Sequence, residues 1–248
     1  MNLRRLATIA GRLPPALALT VTLAGCDVTD DRFQYAWDTR RIVCSRSADD
    51  LTANIPWSTI EDQITTARDL ESATLLHVHA PGINVSVERL AAIFDLADDL
   101  ALAYITFPDL TPGAARAGIA LSFDDDAVDE WFAVREMLRS RGVRATFFVT
   151  HYYRLTEDHR AKLAMLAADG HAIEAHAVEH LDAAVFIAEH GLTAYLEQEA
   201  LPSITVLRDA GYTPTAFAYP FGVSDEAAND ALLAHVERLR VGPRSCPY

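Results

Sequence analysis

Asp124 and Asp125 are adjacent carboxylates that follow an apolar run, Gly118-Ile119-Ala120-Leu121, by way of Ser122-Phe123. A run that stops abruptly at acids reads as a buried strand delivering carboxylates to its carboxyl end, where parallel α/β folds build their sites. Downstream, His176 and His180 stand four residues apart in His176-Ala177-Val178-Glu179-His180. In a helix that spacing stacks both imidazoles on one face. Two imidazoles and one carboxylate suit Zn²⁺ or another divalent transition metal and leave a position for water. Asp125 is the natural third ligand, and Asp124 remains free to act as a base toward that water. Phe217-Ala218-Tyr219-Pro220-Phe221-Gly222 is an apolar strand closed by Pro-x-Gly. Such a turn can offer an amide N–H to an oxyanion.

These groups need a scaffold that brings strand ends together, and the hydrophobic pattern supplies one. Helical spacing runs over residues 57–70, with Ser58 and Glu61 forming a capping-box pattern, and again over 87–102. Strand patterns occupy 73–78 and 104–107. The alternation continues with strands at 118–123, 145–150, 171–176 and 215–219. Between and after them lie helices at 128–139, 157–168, 192–210 and 226–239. Strands alternating with helices imply a parallel sheet, open or closed. The 248 residues, half of them hydrophobic, suffice for one full-sized core.

The amino terminus has a different character. Met1-Asn2-Leu3-Arg4-Arg5 is basic, residues 16–23 are largely apolar, and Leu23-Ala24-Gly25-Cys26 closes the stretch. This is similar to a bacterial lipoprotein signal, with residues 1–25 removed and Cys26 lipidated. The expected location is the cell envelope, outside the cytoplasm, on a membrane anchor. Residues 26–54 read as a tether and irregular segment, and residues 55–248 as the folded domain. Loss of the signal, with its Arg4, Arg5 and Arg12 and no acid, takes the formal charge of −14 three units lower. A surface that acidic repels nucleic acid and anionic headgroups. Cys44 and Cys246 remain, able to pair in an oxidising envelope or to stay as buried thiols.

Taken together, the motifs resemble the polysaccharide deacetylase family, carbohydrate esterase family 4. Ser122-Phe123-Asp124-Asp125 looks like its first motif. Ala145-Thr146-Phe147-Phe148-Val149 looks like its second strand. Asp169-Gly170-His171-Ala172-Ile173-Glu174, leading to His176 and His180, looks like its second motif, and residues 217–222 like its third. The resemblance implies a distorted (β/α) barrel and metal-dependent removal of N- or O-linked acetyl groups from a polysaccharide. It implies Asp124 as base, Asp125, His176 and His180 as ligands, and the Phe221 amide as oxyanion donor. Two departures stand out. Ala177 stands where the family usually has Ser or Thr, and Ala218 where it often has an Arg that helps orient the base, although some branches carry an Ala-Tyr-Pro-x-Gly form.

A family member usually continues to a late Leu-x-His that supplies a general acid, and this chain does not. Ala73-Thr74-Leu75-Leu76-His77-Val78-His79 resembles that late motif, followed by the helical 87–102 pattern and Tyr104-Ile105-Thr106-Phe107-Pro108-Asp109-Leu110. The order implies a circular permutation, with the family's last βα units placed first. The motif wording favours His77 as the acid, whereas His79 stands nearer the strand end. The permutation also implies that Cys44 and Cys246 approach each other near the seam. Trp37, Trp57, Trp131, Tyr152, Tyr153 and Tyr219 are candidates for stacking on sugar rings, with core packing the default for each. Two other readings remain open: a catalytically impaired glycan-binding module of the same fold, motivated by Ala218, and a metal-dependent amidase.

Overall fold

The computed structural model describes residues 30–247. The expected signal, Cys26 and the first residues of the tether lie outside them. In chain order the elements are β1 (Gln34–Tyr35), β2 (Ile42–Cys44), β3 (Arg46–Ser47), α1 (Trp57–Asp69), β4 (Ala73–Val78), α2 (Val87–Asp99) and β5 (Ala103–Tyr104). There follow β6 (Gly118–Asp125), α3 (Val128–Ala133), α4 (Arg135–Ser140), β7 (Thr146–Val149), α5 (Glu157–Ala168), β8 (Ala172–Ala175) and α6 (Ala183–His190). The chain ends with α7 (Leu192–Tyr195), α8 (Leu201–Asp209), β9 (Ala216–Ala218), α9 (Glu226–Leu232) and β10 (Arg238–Val241).

The strands lie in the order β1-β4-β6-β7-β8-β9-β10-β2, with β3 on β4 and β5 on β6. All pairings are parallel except β1 on β4. β2 pairs with β10, and β3, two residues further on, pairs with β4. The stretch 42–47 therefore bridges the two ends of the sheet and nearly closes a barrel. Residues expected to belong to a tether and irregular segment thus supply three strands. The apolar Ile42-Val43-Cys44 finds its partner in β10, a pairing with no trace in local sequence.

Alternation along each strand divides the side chains. Ile119, Leu121 and Phe123 of β6 face outward into the layer under the helices, with Phe147, Trp131 and Leu138. Each fully buried side chain of this size contributes about 1.5–3 kcal/mol. Leu75, Ala120, Phe148, Ala216 and Ala218 form a second cluster inside the barrel. Beyond it toward the carboxyl ends, the inward positions become His77, Ser122, Asp124 and Arg240.

Several sequence expectations change. α1 begins at Trp57 with Pro56 as its cap, and no side chain caps it. Ser58 lies inside the first turn, so the capping box does not form. The strand expected at 104–107 shrinks to β5, because Phe107–Asp109 becomes a 3₁₀ turn locked by reciprocal bonds between Thr106 and Asp109. The 128–139 helix breaks at Val134 into α3 and α4. The 192–210 helix contains a π turn, Leu196–Ala200, between α7 and α8. The last helix stops at Leu232, and Arg238–Val241 is a strand pairing with β9 and β2. Leu232, Val236 and Leu239 mimic helical spacing, but tertiary pairing overrides it. Cys44 and Cys246 are joined as a disulfide, Cα atoms 5.5 Å apart.

Candidate active site

β6 carries Asp124 to the top of the barrel interior, where it is 2% exposed. Asp125 follows at the strand tip with φ of 89°. This turn aims the next carboxylate sideways, toward β8. His176 directly follows β8, and its Nδ1 donates to the Ala218 carbonyl at 2.8 Å. That bond leaves Nε2 as a free lone pair. His180 lies in the same loop. The 176–180 segment is not the helix that the spacing suggested. Left-handed turns at Ala177 (φ 63°) and His180 (φ 58°) bring the rings together instead.

His176 Nε2 and His180 Nε2 lie 3.6 and 3.1 Å from Asp125 Oδ1. One ligand atom from each of the three residues falls within 4.8 Å of the others. Asp125 Oδ1 is buried yet has no hydrogen-bond partner among the described residues. Two imidazole nitrogens and a carboxylate oxygen converging on one point fit a divalent cation of the zinc type. Burial would raise the Asp125 pKa, but the facing histidines hold that carboxyl far below its usual range.

Arg240, which the sequence reading missed, sits opposite Ala218 in the β9–β10 register. Its guanidinium donates to Asp124 Oδ2, and both side chains are 2% exposed. Burial works to raise the Asp124 pKa, yet the Arg240 charge, helped by nearby histidines, keeps the carboxyl below its ordinary value. The guanidinium that Ala218 does not provide thus comes from the adjacent strand. The signal was present in Arg238-Leu239-Arg240-Val241, whose period-two alternation of basic and apolar residues marks a strand with one charged face.

The two histidines of β4 occupy different surroundings. His77 Nδ1 lies 2.8 Å from Ser45 Oγ. Removal from water and the Arg240 charge push His77 down to about 3. His79 Nδ1 lies 2.6 Å from Oδ2 of Asp49, itself 2% exposed. Burial would depress His79, but the Asp49 hydrogen bond and the surrounding aspartates outweigh it and raise the pKa to about 9. Asp49 was also missed, since nothing in Ala48-Asp49-Asp50 separates it from a solvated loop.

Phe221 adopts φ of 58° in the turn Pro220–Gly222. The residue is 67% exposed, and its ring packs edge-on to His180 at 4.7 Å. Gly222 behind it has φ of 67°, and a Cβ there would sit 2.5 Å from the Gly242 backbone. Asp49, His79, Asp124, Asp125, His180 and Phe221 line a cavity of about 490 Å³. A second cavity of about 360 Å³ shares His77, Phe221 and Arg240 with it. Among the stacking candidates, Trp37, Trp131, Tyr152 and Tyr219 are buried. Tyr153 is half-exposed at the surface, and Trp57 packs partly against the core.

The family model for polysaccharide deacetylase matches residues 113–237, just over half of the chain. No curated protein matches it. Among solved structures, IcaB from Ammonifex degensii is similar with 17% identity and a TM-score of 0.55, covering 71% of this chain and 94% of that one. The Streptococcus pyogenes deacetylase PplD in complex with acetate has 15% identity and a TM-score of 0.45, over 82% and 93%. A Streptococcus mutans CE4 esterase has 23% identity and a TM-score of 0.42, over 49% and 54%. The likeness to IcaB is one of fold. With the family model spanning both aspartates, both loop histidines and the Phe221 turn, the chain belongs to the polysaccharide deacetylase family.

Proposed function

We propose that this protein is a divalent-metal-dependent hydrolase that removes acetyl groups from a polysaccharide. The observation that carries the reading is the adjacency of an arginine-held carboxylate, Asp124, and the Asp125–His176–His180 cluster in one cavity at the strand ends. A divalent cation, when bound, supplies Lewis acidity toward the acetyl carbonyl and toward water. The residues that would hold it are Asp125, His176 and His180. Asp124, ionised beside Arg240, accepts the proton of the attacking water. The Phe221 amide donates to the developing oxyanion.

His79 rather than His77 takes the role of general acid. Its support is the buried Asp49, which fixes the ring and keeps it protonated through neutral pH, whereas His77 stays neutral beside Arg240. Protonation of the departing sugar oxygen or nitrogen from His79 completes the exchange. Arg240 removes the motive for the impaired-module reading, because Ala218 no longer leaves the base without a guanidinium.

The circular permutation is part of the same proposal. Its support is that β4, earlier in sequence, pairs in parallel with β6 and carries the histidines to the carboxylates. Export and lipid anchoring at Cys26 rest on the basic and apolar amino-terminal stretch. The decisive test is acetate release from a panel of N- and O-acetylated glycans, with Zn²⁺ added or chelated. Metal-dependent release that is lost in Asp124→Asn supports the reading. No release from any glycan, or release indifferent to chelator, overturns it.

A further inference from the structure

The loop that carries both histidines needs outside support. Ala177 and His180 both adopt left-handed φ, a conformation that costs a non-glycine residue of order 1–2 kcal/mol. Thr150 supports one side, its hydroxyl donating to the Ala177 carbonyl at 3.2 Å. The other side is held by Glu199. Its Oε2 accepts from Glu179 N, the residue before His180, at 3.0 Å.

Glu199 stands where a core residue would normally be. It is 2% exposed and lies on the buried stripe of its helix with Tyr195 and Ser203. The π turn Leu196–Ala200 forms around it, a local widening that recurs at functional sites. Among the described residues no cation pairs with it; burial pushes its pKa up, and the Glu179 amide works against that rise. A buried carboxylate is expensive, and a leucine would pack there more cheaply. What the carboxylate supplies, and a leucine cannot, is a charged acceptor for the loop amide of Glu179, directly before His180.

We infer that Glu199 is a positioning residue that holds the 177–181 loop so that His176 and His180 face Asp125 at metal-binding distance. The inference rests on the metal reading of the preceding section. It concerns the loop and not the chemistry, so it is tested by metal binding and not by turnover.

The experiment measures Zn²⁺ affinity of the full chain by competition with a chromogenic chelator, and the visible spectrum of the Co²⁺ form. Glu199→Gln keeps the shape but replaces the charged acceptor with a weaker neutral amide, whose NH₂ end cannot accept from Glu179 N. It should weaken Zn²⁺ on the order of 10-fold or more and alter the Co²⁺ bands. Adding Ala177→Gly, which relieves the left-handed cost, should recover much of that affinity. Should Glu199→Gln not fold, Glu199→Asp, which keeps the charge but retracts it, should show the same loss in smaller measure. Folded Glu199→Gln, or folded Glu199→Asp in its place, with wild-type affinity and spectrum overturns the inference. A wild-type chain that binds neither metal overturns the metal reading itself, a separate result.

Discussion

Arg240 and Ala218 sit opposite each other in adjacent parallel strands, and the Arg240 side chain reaches past that position to the Asp124 carboxylate. The proposed base is therefore paired with a guanidinium from a different strand than the motif order suggests. Breaking this buried pair leaves an uncompensated charge. Arg240→Ala should cost about 3–5 kcal/mol of stability and on the order of 100-fold in kcat. Asp124 is held below its ordinary pKa, so loss of the guanidinium should also move the acid limb of the pH–rate profile upward. Arg240→Ala combined with Ala218→Arg should recover part of the activity. Absence of any recovery in a folded double variant would show that the guanidinium's origin matters as well as its presence.

With His79 as the proposed general acid, its titration sets the expected alkaline limb. Its folded pKa of about 9 lies above the ordinary 6.5. The stabilisation it contributes is complete below about pH 6.5 and is lost as pH rises through about 9. Activity that requires the protonated ring falls over the same upper range. Asp49→Asn removes the main support for the proton and should shift the alkaline limb to lower pH. His79→Ala should lower kcat on the order of 100-fold or more, with His77→Ala milder. A kcat profile that responds to His77 and ignores His79 would reverse the assignment.

Metal binding should depend on all three facing residues. Asp125→Ala, His176→Ala and His180→Ala should each weaken Zn²⁺ by on the order of 100-fold or more, exceeding the effect of residues behind the ligands. Titration calorimetry on the apo protein reads this directly.

The disulfide closes a stretch of 202 residues. In the chain-entropy picture such a bond stabilises by up to about 5 kcal/mol. Cys44→Ala with Cys246→Ala should therefore lose about 2–5 kcal/mol in urea unfolding, and reductant should lower the wild type to match.

How much of this was legible in the sequence varies by residue. Asp124 and Asp125 were readable because a buried strand that ends in acids leaves few alternatives. His176 and His180 were found by spacing, although the spacing operates through left-handed turns and not through a helix. Arg240 was hidden because Leu232, Val236 and Leu239 imitate helical periodicity. What makes Arg238–Val241 a strand is its pairing with β9 and β2, the latter nearly 200 residues earlier. Asp49 and Glu199 could not be singled out, since an acid reveals its burial only once the packing around it is known.

The disulfide has a further consequence for the integrity of the molecule. Ser45, Asp49, His77, His79, Asp124, Asp125, His176, His180, Phe221 and Arg240 all lie between Cys44 and Cys246. The entire candidate site is thus enclosed in one covalent ring of polypeptide. A protease that cuts once in the exposed stretch 111–116 leaves a nicked ring rather than two fragments. The barrel's halves then stay at high effective concentration for each other, and only reduction of the bond lets them part.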